Sequence, residues 1–154
     1  FPQSLASVGL PLPRTLDPTK RLRGWSEVGR QVSEIYQEMS RNRPTFVFSD
    51  QYQIASEMMF YVPAHPKTYN IQLGRRMNQF DVWGGTAEVL GWDAIFVTGR
   101  TGEAPVEVLR SFESVKREWP NRLVNSEQSP ALHSWSIFRC YGFRGFPPLQ
   151  QSGY

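Results

Sequence analysis

The chain has 154 residues, of which 40% are hydrophobic, 20% charged and 14% aromatic. This length suits one domain around one core, and the composition excludes a disordered or fibrous chain. Seventeen Lys and Arg against fourteen Asp and Glu leave a net charge of +3, and the excess is spread along the sequence. A dedicated nucleic-acid binder is therefore not expected.

The cysteine and histidine content limits the chemistry further. Cys140 is the single cysteine, so an intrachain disulfide is excluded. His65 and His133 have no zinc-ligand spacing, and we expect neither a metal nor another cofactor. His133 falls on the opposite face of the predicted strand that carries Cys140, which favours an inert core thiol over a nucleophile.

The first predicted elements are an extended arm and a helix. Residues 1–16 are rich in proline and lack periodicity, as in an arm or linker. Asp17 and Pro18 then supply an N-cap and a first-turn proline. Apolar residues recur at three- and four-residue steps from Trp25 to Met39, which predicts an amphipathic helix that Pro44 ends.

A strand, a turn and a second helix follow. Residues 45–49 (TFVFS) are aromatic and β-branched, as in a buried strand. Ser49 and Asp50 offer a helix cap, and an apolar stripe from Ile54 to Tyr61 predicts a helix that ends at Pro63. Residues 67–73 (KTYNIQL) are predicted to form the next strand.

The second half repeats this alternation. Residues 74–85 are predicted to form a long polar loop, and residues 94–98 (AIFVT) a strand. Residues 105–119 carry a helical stripe that Pro120 ends, with a plain surface turn predicted at residues 99–102. Residues 134–141 alternate as in a strand near the sheet edge, with residues 123–126 as its possible partner.

Strands that alternate with helices predict an α/β fold. Because parallel neighbours require crossover connections, we expect a three-layer sandwich with a mostly parallel, Rossmann-like sheet and a possible antiparallel edge. Residues 17–147 form the predicted single domain, and residues 148–154 form a tail. The predicted core residues are Trp25, Val28, Val32, Ile35, Phe46, Phe48, Ile54, Met58, Ile95, Val97 and Phe112.

Ligands of such sheets bind outside the carboxyl ends of the strands. In residues 74–85, Arg75 and Arg76 suit phosphate or carboxylate, the two amides suit hydroxyls, and Trp83 offers a flat ring. The alternative is a loop pinned by its own hydrogen bonds and an Arg76–Asp81 ion pair. The candidate binding residues are Asp50, Tyr52, Gln53, Arg75, Arg76, Asn78, Gln79 and Trp83.

Asp50 has two interpretations. At the end of a strand it suits a general base or a metal ligand, but a plain N-cap of the following helix is favoured. No complete catalytic constellation is present in the sequence, so no catalytic residue is assigned. We therefore expect a chain that binds or positions something.

Three segments resemble a known family. Residues 17–25 (DPTKRLRGW), 49–57 (SDQYQIASE) and above all 73–81 (LGRRMNQFD) resemble the C-terminal region of the bacterial branch of glycosyltransferase family 39. These membrane proteins are similar to dolichyl-phosphate-mannose protein mannosyltransferases and to the aminoarabinose transferase of lipid A. The resemblance runs from about residue 12 to about residue 146.

The resemblance implies a soluble C-terminal domain on the periplasmic face of the inner membrane, in an enzyme that uses a polyprenyl-phosphate-linked sugar. Its implied partners are the transmembrane portion of the same polypeptide and a lipid-linked sugar or acceptor glycan. The family's catalytic acidic residues lie in an early loop of the membrane part, so the isolated domain is expected to be inactive.

Two alternatives remain. One is a free-standing enzyme on nucleotide or sugar phosphates, with Asp50 as the acid/base and Arg75 and Arg76 as phosphate clamps. The other is an interaction module that docks a partner through the last strand and residues 143–148.

Overall fold

A computed structural model describes residues 19–71, 86–118 and 135–146. The predicted arm, the predicted tail and residues 74–85 lie outside these ranges. The elements in chain order are α1 (Thr19–Ser40), β1 (Thr45–Ser49), α2 (Tyr52–Tyr61), β2 (Thr68–Asn70), a 3₁₀ turn (Thr86–Val89), β3 (Asp93–Thr98), α3 (Val106–Ser111), β4 (Phe112–Arg117) and β5 (Ser136–Phe143).

The five strands form one mixed sheet in the order β2-β1-β3-β5-β4. Strand β1 pairs in parallel with β2 and β3, whereas β5 pairs antiparallel with β3 and β4. Helix α2 is the crossover that lets β1 and β2 run in parallel. The predicted α/β class, with parallel strands and an antiparallel edge, is confirmed; the three-layer arrangement stays a prediction.

Each face of the sheet has its own apolar cluster, because successive strand residues point to opposite faces. Val47, Ile95 and Val97 pack against α1 and α2 on the first face. Phe46 and Phe48 belong to the second face, with residues from the 3₁₀ turn and α3. Every predicted core residue is buried.

The predicted helix over residues 105–119 is wrong in its second half. Helix α3 ends at Ser111, and Phe112–Arg117 is a strand. The apolar spacing fits a helix, but the residues of β4 pair in register with β5, from Phe112 opposite Phe143 to Arg117 opposite Phe138. This tertiary pairing satisfies their backbone groups and overrides the local pattern.

The last strand begins and ends two residues later than predicted and is more central in the sheet. Strand β5 lies between β3 and β4, so β4 is the edge of the sheet. The proposed partner, residues 123–126, lies outside the described ranges. Central strands are covered on both faces, and most residues of β5 are accordingly buried.

The register of β5 with β3 ends at Cys140, two residues before Gly142. Gly142 has a φ of 64°, a left-handed value that favours glycine. Its backbone N–H donates to Oδ1 of Asp93 at 3.0 Å, and the N–H of Phe143 donates to the carbonyl of Trp92 at 2.8 Å. The buried Asp93 carboxylate therefore holds the backbone at Gly142 in place.

Candidate functional site

The carboxyl ends of β1 and β3 define a candidate crevice, at the position where the chain changes face. Helix α2 leaves β1 and packs Ile54 and Met58 on the first face. Val108 of α3, the helix that follows β3, packs on the second face. Connections on opposite faces of neighbouring parallel strands leave a crevice between their carboxyl ends, which is the usual ligand position in α/β sheets.

Asp50 directly follows β1 and lies inside this crevice. Its side chain is fully buried, and Oδ2 lies 2.9 Å from Nε of Arg100. Neither carboxylate oxygen accepts a hydrogen bond of good geometry from the described residues, because the Arg100 contact is short but poorly aligned. The contact is therefore an ion pair that leaves the hydrogen-bonding capacity of the carboxylate largely unused.

The predicted capping role of Asp50 is wrong. Gln51 occupies the N-cap position of α2, and its side chain makes no capping hydrogen bond. The turn is held by Ser49, whose Oγ accepts from the N–H of Gln51 at 3.1 Å. Asp50 is thus released from local structure, and its side chain turns toward the loop after β3.

The loop after β3 is fixed through the backbone of Arg100. The Oγ1 of Thr98 accepts from the N–H of Arg100 at 3.2 Å, and the Oγ of Ser136 donates to its carbonyl at 2.9 Å. The guanidinium end remains largely solvent-accessible, since the side chain is 61% exposed. The predicted plain surface turn therefore contributes the cation of the crevice.

Gln51 and Gly99 bring the two loops together. A Cβ placed on Gly99 would lie 3.2 Å from Oε1 of Gln51. The carboxamide of Gln51 therefore packs directly on the β3 loop, with no space for a side chain between them.

A second buried acceptor lies at the end of β2. Asn70 is the register partner of Ser49, and its Oδ1 is buried with no hydrogen-bond donor among the described residues. The N–H of Ile71 donates to the carbonyl of Ser49 at 2.8 Å, which continues the parallel ladder. This edge of the sheet thus holds two buried side chains with unused acceptor oxygens.

The sequence-predicted site residues divide into two groups. Tyr52 and Gln53 are exposed in the first turn of α2, next to Asp50 in the chain. The remaining predicted residues, Arg75, Arg76, Asn78, Gln79 and Trp83, lie outside the described ranges.

The sequence-predicted binding residues did not include Gln51, Asn70 and Arg100, although residues 50–53 and 99–102 were expected at this edge. The only sequence feature that points to these three residues is their position, since each lies within two residues of the carboxyl end of a parallel strand.

A second cleft, of about 520 Å³, lies at the opposite, amino edge of the sheet. Arg139 lies 2.6 Å from Glu38 and also pairs with Glu118, while Arg43 lies 4.0 Å from Asp93. The hydrogen bond that Arg139 donates to Glu118, together with its contact with Glu38, raises the pKa of Arg139 above its ordinary value. Both arginines are thus paired with carboxylates, and these ion pairs account for much of the polar lining of the cleft.

Residues 143–146, part of the docking segment expected for an interaction module, pack on their own sheet. Phe143 is buried and lies 5.3 Å from Phe46 between ring centroids, and Phe146 lies 5.4 Å from Phe48. A tail engaged in its own core cannot also insert into a partner. The packing counts against docking through residues 143–146.

Cys140 lies in the core, fully buried in the second cluster. Burial raises the pKa of its thiol well above the ordinary value, which suppresses the reactive thiolate. The predicted core position of this cysteine is confirmed, and its inertness stays a prediction.

The chain has an α/β fold, and the carboxyl edge of its parallel strands is the candidate position for a ligand. No protein-family model, curated protein or solved structure matches the chain. In residues 19–71, 86–118 and 135–146, no group of three or more His, Cys, Asp or Glu is arranged to hold a metal ion. No helix within those ranges combines the length and apolar character needed to cross a membrane.

Proposed function

We propose that the chain is the periplasmic C-terminal domain of a membrane glycosyltransferase that uses a polyprenyl-phosphate-linked sugar. Its role is to bind or orient the acceptor or the donor headgroup beside the transmembrane portion of the same polypeptide. The resemblance of residues 17–25, 49–57 and 73–81 supports this assignment. The second of these segments contains the end of β1 and the first turns of α2, which form one wall of the crevice.

Asp50 is the observation that carries the proposal. A buried carboxylate without well-aligned donors costs several kcal/mol of folding free energy. A residue present for stability alone would cap α2 or would be apolar. Asp50 does not cap the helix, and its side chain is charged. Residues that break local rules in this way concentrate at functional sites, which favours a role toward a ligand.

Binding is preferred over catalysis for the chain by itself. The free-standing enzyme requires Asp50 to work beside Arg75 and Arg76 as phosphate clamps. Among the described residues, Arg100 already supplies the cation next to Asp50. The resemblance also places the catalytic acids in the membrane portion, so the isolated domain should transfer no sugar.

The test uses the full-length enzyme. We expect deletion of residues 17–147 to abolish sugar transfer while the transmembrane portion still inserts and is recovered in the membrane. The 154-residue chain alone should show no transfer from a polyprenyl-phosphate sugar. Turnover by the isolated chain, or a parent gene without hydrophobic spans before this domain, would refute the proposal.

A further inference from the structure

We infer that the crevice beside Asp50 binds a neutral sugar ring through its hydroxyl groups, and binds neither a phosphate group nor a metal cation. This inference rests on the proposed function and deepens it by naming which part of a lipid-linked sugar or acceptor glycan enters the crevice. Three features of the described edge support the inference: its charges, its buried acceptor oxygens without a hydrogen-bond partner, and the close contact between Gln51 and Gly99.

The charges of the crevice exclude ionic ligands from its interior. The fully buried Asp50 carboxylate is the innermost charged group, so an entering phosphate would meet a like charge in a poorly solvated position. A metal cation would meet Arg100, 2.9 Å from that carboxylate. The described residues also provide no cluster of further metal ligands. The neutral ion pair therefore suits a neutral polar ligand.

The buried oxygens of Asp50 and Asn70 can accept hydrogen bonds from a ligand that carries donors. An ionised carboxylate is purely an acceptor, with about four lone-pair positions on its two oxygens. Asp50 fills none of them with a well-aligned donor from the described residues, and Oδ1 of Asn70 is also without one. Hydroxyl groups donate to carboxylates in short, strong hydrogen bonds. A sugar carries several hydroxyls on one rigid ring, and this matches an edge with several buried acceptors.

The adjoining surface suits the rest of a sugar. Tyr52, which opens α2, is 46% exposed, and an exposed aromatic ring can pack on the C–H face of a sugar. The carboxamide of Gln51 adds both a donor and an acceptor at the contact with Gly99. A methyl group at Gly99 would displace that carboxamide, so Gly99→Ala probes the shape of the crevice.

The experiment titrates the ¹⁵N-labelled 154-residue chain with three probes. These are neutral methyl glycosides of mannose, glucose and galactose, inorganic phosphate, and calcium chloride, each at constant ionic strength. Titration to about 100 mM covers complexes far weaker than a Kd of 1 mM. We expect at least one glycoside to shift the amide resonances of Gln51, Gly99 and Arg100, with little response to phosphate or calcium.

Variants separate a ligand contact from a structural role. Asp50→Asn replaces a carboxylate oxygen by a donor, and we expect it to weaken glycoside binding at least tenfold without lowering the melting temperature. Gly99→Ala should also weaken binding. The matched control is Glu57→Gln, which makes the same kind of change at a half-buried position of α2 and should leave binding unchanged.

The outcomes either support or overturn the inference. Larger shifts with phosphate or calcium than with any glycoside overturn it, as do an absence of shifts with every glycoside and full binding by folded Asp50→Asn. The proposed function is judged separately by the deletion in the full-length enzyme. If that deletion abolishes transfer and no glycoside binds, the inference alone has failed; if a glycoside binds and transfer survives the deletion, the proposed function has failed.

Discussion

At the scale of single residues, aromatic rings build much of the second core cluster. The Phe46 ring is fully buried, and its centroid lies 5.8 Å from that of Phe48, 6.3 Å from Phe112 and 5.5 Å from Tyr69. Aromatic pairs at these separations add to the free energy gained by burial. The Phe46 ring of β1 therefore contacts rings from both edge strands, β2 and β4.

Truncation of this ring should be costly. We expect Phe46→Ala to lower the free energy of unfolding by about 3 to 5 kcal/mol, because it leaves a cavity that neighbouring rings cannot close. Urea denaturation measures the change. Phe60→Ala is the control, because Phe60 is 75% exposed, and it should change stability by at most about 0.5 kcal/mol. A loss below about 1 kcal/mol for Phe46→Ala would contradict the burial of β1.

A polar contact next to this cluster joins β2 to the 3₁₀ turn. The Tyr69 hydroxyl donates to Oε1 of Glu88 at 3.0 Å, and Nζ of Lys67 lies 2.9 Å from the same oxygen. Burial, followed by the hydrogen bond to Glu88, raises the pKa of Tyr69 to about 12. The hydrogen bonds from Lys67 and Tyr69 lower the pKa of Glu88.

The raised pKa of Tyr69 predicts a loss of stability at alkaline pH. An unfolded tyrosine ionises near its ordinary pKa of about 10, so the folded state holds this proton more tightly. The stabilisation is complete below about pH 10 and is lost as the pH rises through the folded pKa of about 12. Tyr69→Phe should therefore show a shallower decline in unfolding free energy from pH 9 to 12. Equal slopes for the two proteins would rule out this contribution.

At the scale of elements, two glycines of α1 have opposite surroundings. A Cβ on Gly24 would meet nothing within 4 Å. A Cβ on Gly29 would lie 2.6 Å from Cβ of Tyr61 and 2.9 Å from its carbonyl oxygen. Since backbone atoms cannot rotate away as a side chain can, Gly29 sets the close approach of α1 to the end of α2.

The same substitution at these positions should have opposite effects. Gly24→Ala should raise the free energy of unfolding by about 0.5 to 1 kcal/mol, because alanine favours the helix interior. Gly29→Ala should lower it by about 1 to 3 kcal/mol, because the helices must separate. Parallel urea denaturation of the two variants measures both. Equal signs would show that the contact between α1 and α2 is not close.

At the scale of the whole molecule, the crevice depends on three separate segments. Asp50 follows β1, Asn70 ends β2, and Arg100 follows β3. The segments are distant in sequence, and the parallel pairing of β1 with its two neighbours brings their carboxyl ends to one edge. The grouping of these three residues at one edge is therefore a property of the assembled sheet.

Arg75 and Arg76 follow β2 in the chain and remain predicted binding residues. We expect the double change to alanine to abolish sugar transfer by the full-length enzyme, because a charged hydrogen bond to a bound anion is worth about 1.5 to 3 kcal/mol. The melting temperature of the 154-residue chain should stay nearly unchanged. Activity assays and thermal denaturation measure the two effects. An unfolded double variant would identify these arginines as structural.

The sequence by itself determined the α/β class, helix α1 and the core. Helical periodicity from Trp25 to Met39 identifies the buried face of α1, and the compact apolar runs of β1 and β3 are long enough to identify central strands. Asp50 and Tyr52 could be assigned to the carboxyl edge because a strand, a turn and a helix follow one another locally. These features depend on neighbours in sequence.

Only the tertiary structure decided that residues 112–117 form a strand and that Asp50 pairs with Arg100. The helical spacing of Val108, Phe112 and Val115 gave way to pairing with β5, a strand distant in sequence. Likewise, the ion pair of Asp50 with Arg100 exists because β3 lies beside β1, a neighbour relation that no local pattern encodes. Long-range pairing satisfies whole rows of backbone hydrogen bonds, and it therefore outweighs the small free-energy differences of local propensity.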